Sequence, residues 1–233
     1  MRKTLICMFI LVIGTMKKSD IDSVYKILKE EVKNYKVPVV ELIEIQTKDP
    51  FKVLITTILS SRTKDRVTMK AAKQLFSKIE ESQDLAKITT KQIEKLIYPV
   101  GFYKTKAKHL KKFPKVLKQE FNNEIPQTLE ELTKLPGVGR KTANLVLAVA
   151  FNKSAICVDT HVHKIMNRLG YLKTKNPFQT ELILRKKLPK DYWTTINLIL
   201  VTFGQYTCTP VSPFCSRCPV NKYCDKVGVK KQR

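Results

Sequence analysis

The sequence predicts an all-α fold, because helical periodicity dominates its 233 residues and strand-like alternation is sparse. The segment 19–32 repeats apolar residues every three or four positions, which is the pattern of an amphipathic helix. Helix-start signals recur further along the chain, and the turns between them are short. We therefore expect many helices joined by short loops.

The boundary signals predict the helices in order. An Asp-Pro pair at 49–50 supplies an N-cap residue and a proline at the first helical position. The segments 89–92 (T-x-x-Q) and 128–131 (T-x-x-E) both have the spacing of a capping box. Gly170 suits the C-terminal stop of a helix at about 161–169.

Charge is the clearest indication of the kind of partner. The chain carries 44 Lys and Arg against 20 Asp and Glu, a formal net charge of +24. This excess favours nucleic acid over an anionic membrane or a simple lysine bias. Six lysines between 104 and 115 form either a solvated face or a track for phosphates. With 43% hydrophobic residues, the composition excludes a disordered tail and a polytopic membrane protein.

Four of the six cysteines lie within 17 residues near the C-terminus, in the pattern C-x6-C-x2-C-x5-C: Cys208, Cys215, Cys218 and Cys224. Thiols this close predict one metal centre in a reducing compartment, since disulfides normally join distant loops of smaller secreted chains. A [4Fe–4S] cluster and a tetrahedral Zn²⁺ are both chemically possible. The single C-x2-C pair between unequal loops favours the cluster.

A glycine-rich turn at 135–143, LPGVGRKTA, is predicted to join two helices. Its backbone N–H groups lie at the positive end of the second helix, which favours binding of a backbone phosphate over a plain interhelical turn. The spacing does not match a Walker A loop. Lys141 falls in the first turn of the second helix, where it is either a nucleophilic amine or a further phosphate contact.

Asp159 precedes the helix predicted at about 161–169, within the segment VDTHVH. Its ordinary role is the N-cap of that helix. The same carboxylate can also stabilise a positive charge that develops nearby, so that the structural and catalytic roles are compatible.

The first residues combine a basic start with an apolar run at 4–14, which resembles part of a signal peptide. The run is too short to span a bilayer, and no A-x-A cleavage site follows it. Met16 offers an alternative start. We therefore interpret 1–15 as a wrongly assigned extension rather than a functional signal peptide, and expect an intracellular protein with no membrane partner.

The hairpin, the VDTH segment about 20 residues later and the four-cysteine loop, in this order, resemble the endonuclease III family of helix-hairpin-helix DNA glycosylases. The resemblance implies two all-α domains with DNA between them. A six-helix domain would occupy 43–154, with the helix-hairpin-helix at about 129–152, and an iron–sulfur cluster domain would combine 16–42 with 155–233. It also implies that the four cysteines hold a [4Fe–4S] cluster.

The same resemblance implies a monomeric enzyme of DNA base-excision repair, acting on double-stranded DNA with a damaged base or an abasic site. Lys141 stands at the position of the family's nucleophilic lysine, and Asp159 at that of its catalytic carboxylate. The damaged base would be flipped out of the duplex. Lys141 would then attack C1′ and form a Schiff base that permits β-elimination. Relatives that excise adenine or mismatched thymine lack this lysine, so we expect a bifunctional glycosylase/lyase for oxidised pyrimidines.

The resemblance further implies contacts with DNA at seven positions: Ser60, Arg62, Phe102, Gly137, Val138, Gly139 and Arg140. Arg62 stands where many members carry Gln, and would help to fill the gap that the flipped base leaves. Phe102 replaces a commonly aliphatic wedge and could intercalate between bases. The loop 209–214 has no basic residue, so phosphate contacts there would come from Arg217 or Lys222.

Three alternatives stay open from the sequence. A glycosylase for oxidised guanine or a mismatched base is possible, because pocket shape decides which base is read. A non-catalytic helix-hairpin-helix module would bind DNA only, although Lys141 and Asp159 argue against it. An electron carrier would leave the positive charge and the hairpin unexplained.

Overall fold

The computed structural model describes residues 18–233, so the expectation for 1–15 lies outside the described part of the chain. The described residues form helices and no β-sheet, which confirms the all-α prediction. Their α-helices are α1 (Lys18–Glu31), α2 (Val39–Thr47), α3 (Pro50–Ser60), α4 (Asp65–Phe76), α5 (Asp84–Lys87), α6 (Thr90–Ile97), α7 (Tyr103–Phe121), α8 (Leu129–Leu132), α9 (Arg140–Phe151), α10 (Thr160–Arg168), α11 (Pro177–Lys187) and α12 (Ile196–Tyr206). Short 3₁₀ helices lie at Val32–Asn34, Lys190–Tyr192 and Asn221–Tyr223. Between residues 18 and 233, no helix has both the length and the apolarity to cross a bilayer.

Side-chain caps begin the helices where the sequence predicts them. Asp49 Oδ1 accepts a hydrogen bond from the backbone N–H of Phe51 at 2.8 Å, and Pro50 occupies the first position of α3. The capping box of α6 is complete. Thr89 Oγ1 accepts from the Gln92 N–H at 3.2 Å, and Gln92 Oε1 accepts from the Thr89 N–H at 2.7 Å.

The first helix of the helix-hairpin-helix, α8, has four residues. Its predicted capping box is half formed. Thr128 Oγ1 accepts from the Glu131 N–H at 3.2 Å, but the Glu131 carboxylate accepts from the Thr128 hydroxyl at 2.6 Å instead of from the Thr128 backbone. At the other predicted boundary, Gly170 follows α10 with a φ of 76°, which confirms it as the stop.

Two large clusters of buried apolar side chains form the interior. One lies within 51–155, and the other combines 21–28 with 156–220. A smaller cluster packs α2 against α3 and α9. The two large clusters meet in sequence at about 155, where the two-domain interpretation places a boundary, while the boundaries themselves stay a prediction.

The cap of α6 gives a direct test of the local hydrogen bonding. Because Thr89→Ala removes the acceptor for the Gln92 N–H, we expect it to lower the free energy of unfolding by about 1 kcal/mol, the usual effect of losing an N-cap. Denaturant unfolding measures this change. Thr90→Ala, at the first position of the same helix, is the matched control, and equal stabilities of the two variants would contradict the expectation.

Candidate active site

The helix-hairpin-helix turn is built by three residues between α8 and α9. Gly137 has a φ of 82°, which disfavours side chains, and a Cβ there would lie 2.8 Å from His109 Nδ1. Val138 is 6% exposed and anchors the turn in the first apolar cluster. Gly139 is the N-cap residue of α9, so Lys141 falls in the first turn of that helix, as predicted.

Lys141 and Asp159 face each other across the start of α9 and α10. Asp159 Oδ1 accepts hydrogen bonds from the backbone N–H groups of His161 at 2.8 Å and Val162 at 2.9 Å, which confirms the N-cap role. The other oxygen, Oδ2, lies 3.9 Å from Lys141 Nζ. One carboxylate oxygen therefore holds the helix while the second faces the amine.

A pocket surrounds this pair, and helices that are distant in sequence form its wall. Of the residues that the sequence selects, Ser60, Arg62, Lys141 and Asp159 line it. The other lining residues include Glu41, Asp65, His161 and Asn197. Lys141 has a side chain that is 57% exposed, whereas that of Asp159 is 11% exposed. The amine therefore reaches toward the mouth of the pocket from beside a more deeply buried carboxylate.

The four C-terminal cysteines lie around one cavity, with Arg168 at the end of α10 between two of them. Arg168 Nη1 lies 3.3 Å from Cys208 Sγ, and Cys224 Sγ lies 3.3 Å from the Arg168 carbonyl oxygen. Burial raises the pKa of the Cys218 thiol to about 11 and also raises the pKa values of Cys208 and Cys224. Within the described residues, no three His, Cys, Asp or Glu side chains converge on the position of a single ion.

Known proteins with a similar sequence and a similar fold were found by comparison. Residues 55–190 match the HhH-GPD superfamily, base excision DNA repair protein. Endonuclease III of Thermotoga maritima is 48% identical over 76% of this chain and 83% of its own length, and that of Bacillus subtilis is 36% identical over 81% and 90%. This chain belongs to the endonuclease III family. A non-covalent endonuclease III–DNA complex superposes with a TM-score of 0.82 at 33% identity, covering 91% of this chain and 97% of that chain. A trapped endonuclease III–DNA covalent intermediate gives a TM-score of 0.81.

In this endonuclease III family member, Arg140 is held within the protein. Its Nη2 lies 2.9 Å from Glu181 Oε1, and its Nε also donates to both carboxylate oxygens. The same carboxylate binds Arg185 Nε at 2.9 Å. This ionic cluster joins α9 to α11, and the contact of Arg140 with a phosphate stays a prediction.

The two departures from the endonuclease III family pattern lie side by side. Arg62 and Phe102 are 40 positions apart in sequence, yet the guanidinium carbon of Arg62 lies 5.2 Å from the centre of the Phe102 ring. Phe102 is 61% exposed. The sequence selects both residues but does not show that they form a pair.

Glu41 is one of the pocket residues that the sequence did not indicate, and its pKa is shifted. Its pKa rises from 4.5 to about 7, chiefly because the side chain is buried and to a lesser degree because of the negative charges of Asp65 and Asp159. The chain offers no motif around Glu41, because its place in the pocket depends on α2 packing against α3 and α9. A carboxyl that titrates near neutral pH therefore shares the pocket with the Lys141 amine.

Glu41 makes stability depend on pH in a defined direction. Since its pKa is higher in the folded protein than the usual 4.5, the folded state holds the proton more tightly than the unfolded chain. Stability should fall as the pH rises from about 4.5 through 7. Glu41→Gln should remove this fall and raise stability at pH 8 by an amount on the order of 2 kcal/mol.

Thermal or denaturant unfolding between pH 4.5 and 8 measures the effect of Glu41→Gln. Glu44→Gln, on the same helix, controls for the loss of a carboxylate from α2. A wild-type pH profile in the Glu41 variant would show that the carboxyl is not buried as described.

Proposed function

We propose that this protein is a bifunctional DNA glycosylase and abasic-site lyase that removes oxidised pyrimidines from double-stranded DNA. The observation that carries the proposal is the 3.9 Å approach of Lys141 Nζ to Asp159 Oδ2 in a pocket of an endonuclease III family member. A lone lysine on a binding surface needs no carboxylate beside it. A nucleophile that displaces a base from a sugar does, because the sugar becomes positively charged as the base leaves.

The chemistry follows from the positions of the two groups. Lys141 lies on an exposed helix start and supplies the amine, which must lose a proton before it attacks C1′. The bond from C1′ to the base breaks as the bond to Nζ forms, and the base leaves with the electron pair and takes up a proton. The C1′–O4′ bond then breaks, with a proton passing from Nζ to O4′, and the opened sugar is left as a Schiff base. This Schiff base acidifies the C2′ proton, and loss of that proton expels the 3′ phosphate oxygen.

Asp159 remains fixed throughout these steps. Two backbone N–H groups hold Oδ1, so that Oδ2 stays directed at the amine and at the sugar carbon that it attacks. This fixed geometry provides stabilisation without reorganisation when charge develops.

The polar wall of the pocket supports the choice of an oxidised pyrimidine. Glu41, with a pKa of about 7, can donate or accept a hydrogen bond near neutral pH. Asn197 lies in the same wall, where its amide nitrogen donates to the Cys157 carbonyl oxygen at 3.1 Å and its amide oxygen remains as an acceptor. Oxidised pyrimidines carry additional hydroxyl and carbonyl groups, which such a wall can bind, whereas an apolar pocket would leave these groups unpaired.

For the four cysteines we propose a [4Fe–4S] cluster. The four cysteines line one cavity, so their thiols can ligate a common centre. Their single C-x2-C pair between loops of six and five residues favours a [4Fe–4S] cluster over a tetrahedral Zn²⁺. When bound, the cluster would supply iron–thiolate bonds that crosslink the C-terminal segment. A thiol-ligated cluster also supports the proposal of an intracellular location.

Borohydride trapping tests the nucleophile. The wild-type protein with a duplex that carries one oxidised pyrimidine should give a covalent protein–DNA band on a denaturing gel. Lys141→Gln should give none while it still binds the duplex, and Asp159→Asn should reduce the trapping rate by about 100-fold, as expected for loss of one electrostatic contact. Lys134→Gln, an exposed lysine beside the hairpin, is the control.

Each alternative predicts a different gel. A band that appears only with a pre-formed abasic site would mean that the lesion is wrong and the lyase chemistry right. Full trapping by Lys141→Gln would reject this lysine as the nucleophile. If iron-containing wild-type protein gives no band with either duplex, the protein is the non-catalytic alternative, a helix-hairpin-helix module that only binds DNA.

Removing one cysteine tests the cofactor. Cys215→Ser should lose most of its iron and unfold at a lower temperature, because formation of a metal site is coupled to folding. Iron analysis and a melting curve on protein purified without oxygen measure both effects. Cys157→Ser, which removes a thiol outside the cysteine cavity, should keep its iron and is the control. Unchanged iron in Cys215→Ser would contradict the cluster assignment.

A further inference from the structure

Lys106 is a buried ammonium group in the first turn of α7. The residue is 7% exposed, and burial lowers its pKa to about 8. In the part of the chain that the structure describes, none of the ion pairs includes Lys106. Its neighbours in sequence, Lys104 and Lys108, are exposed, so the basic run of α7 is not a uniform solvated face. Burying an unpaired charge is unfavourable unless its hydrogen bonds are satisfied.

The hydrogen bonds of Lys106 all reach one short segment at the end of α3. Its Nζ donates to the carbonyl oxygens of Leu59 at 2.8 Å and Ser61 at 2.6 Å, and it lies 3.5 Å from Thr63 Oγ1. The last carbonyls of a helix have no partner within the helix and carry its negative dipole end. Lys106 therefore caps α3 from another helix.

The same segment contacts the start of α7 through its backbone. Thr63 Oγ1 accepts a hydrogen bond from the Gly101 N–H at 3.1 Å. Gly101 also packs so closely against the Arg62 carbonyl oxygen that a Cβ at this position would clash with it. The residues on either side of this contact, Arg62 and Phe102, are thereby brought next to each other.

Arg62 and Phe102 both have backbone conformations that their side chains disfavour. Their φ angles are 53° and 58°, in the left-handed region. Such conformations persist where surrounding contacts fix them. Lys106 provides that constraint, because its backbone follows Phe102 by four residues and its ammonium group holds the carbonyls on the N-terminal side of Arg62.

We propose that Lys106 is a positioning residue that holds Arg62 and Phe102 together as one two-residue wedge, which enters the base stack when the damaged nucleotide leaves it. This inference rests on the proposed function, since the wedge matters only if a nucleotide is flipped. Lys106 does not touch DNA in this account, because protein oxygens occupy its ammonium group. Its effect is confined to duplex substrates, where bases must be separated.

The test compares two substrates for Lys106→Met, which keeps the length and burial of the side chain and removes the charge. One is a duplex with a single abasic site, and the other is the same strand without its complement, where no stacked duplex has to be opened. We expect kcat/KM for strand cleavage to fall about tenfold on the duplex and to stay within about twofold on the single strand.

Lys108→Met is the matched control, because it removes an exposed lysine from the same helix. This variant should lower kcat/KM on both substrates to a similar degree, because it loses one attraction to the phosphates. A second measurement does not depend on cleavage. In a Lys141→Gln background, 2-aminopurine placed next to the abasic site should brighten on binding, and Lys106→Met should reduce that increase while Lys108→Met leaves it intact.

If Lys106→Met lowered kcat/KM equally on the duplex and on the single strand, the residue would have a general structural role and the proposal would be overturned. An unchanged kcat/KM on the duplex would also overturn it. If this variant does not fold, Thr63→Val replaces it, because it removes the acceptor for the Gly101 N–H. It should lower the duplex rate selectively, and an unchanged ratio of the two rates would overturn the proposal. A wild-type protein that cleaves neither substrate would reject the proposed function, whereas the fluorescence measurement would still test Lys106.

Discussion

The placement of α10 is the constraint on which both sites depend. Its N-cap residue, Asp159, lies in the pocket with Lys141, and its last residue, Arg168, bonds to Cys208 beside the cysteine cavity. Nine helical residues span about 13 Å, so the two sites are joined by a short rigid element. Apolar residues of α10 pack in the second cluster, and Gly204 lets α12 approach His161 closely. The position of the Asp159 carboxylate is therefore a result of core packing.

Helix ends bind two of the charged side chains in and near the pocket. At the start of α10, backbone N–H groups bind the carboxylate of Asp159, and at the end of α3, backbone carbonyls bind the ammonium group of Lys106. Each charge lies at the dipole end that favours it. Ser60, the last residue of α3, lines the same pocket as Asp159. Two helix termini of opposite sign therefore fix the carboxylate of Asp159 and the segment that carries Arg62.

Features that depend on neighbours in sequence could be predicted, and those that depend on packing could not. The cap of Asp49 and the hairpin arise from hydrogen bonds and φ angles within a few residues. Lys106 looked like one of six equivalent lysines, because its acceptors lie 45 and 47 positions away. Glu41 was missed for the same reason, and so was the pairing of Arg140 with Glu181 across 41 positions. The composition gives the number of charged side chains, but only tertiary packing decides which of them are bound to other protein groups.

The ionic cluster of Arg140 affects how the hairpin can bind a DNA backbone. Glu181 accepts hydrogen bonds from Nε and Nη2 of Arg140 and also binds Arg185, while the Arg140 side chain stays 41% exposed, so the cluster fixes the orientation of the guanidinium. The turn itself still presents backbone N–H groups at the start of α9, where the helix dipole attracts a phosphate. Under the proposed function, these backbone donors would hold one strand in place without side-chain motion, which leaves the neighbouring Lys141 amine for the sugar. The hairpin would then bind the backbone and present the proposed nucleophile within five residues, 137–141, because the two roles use different atoms.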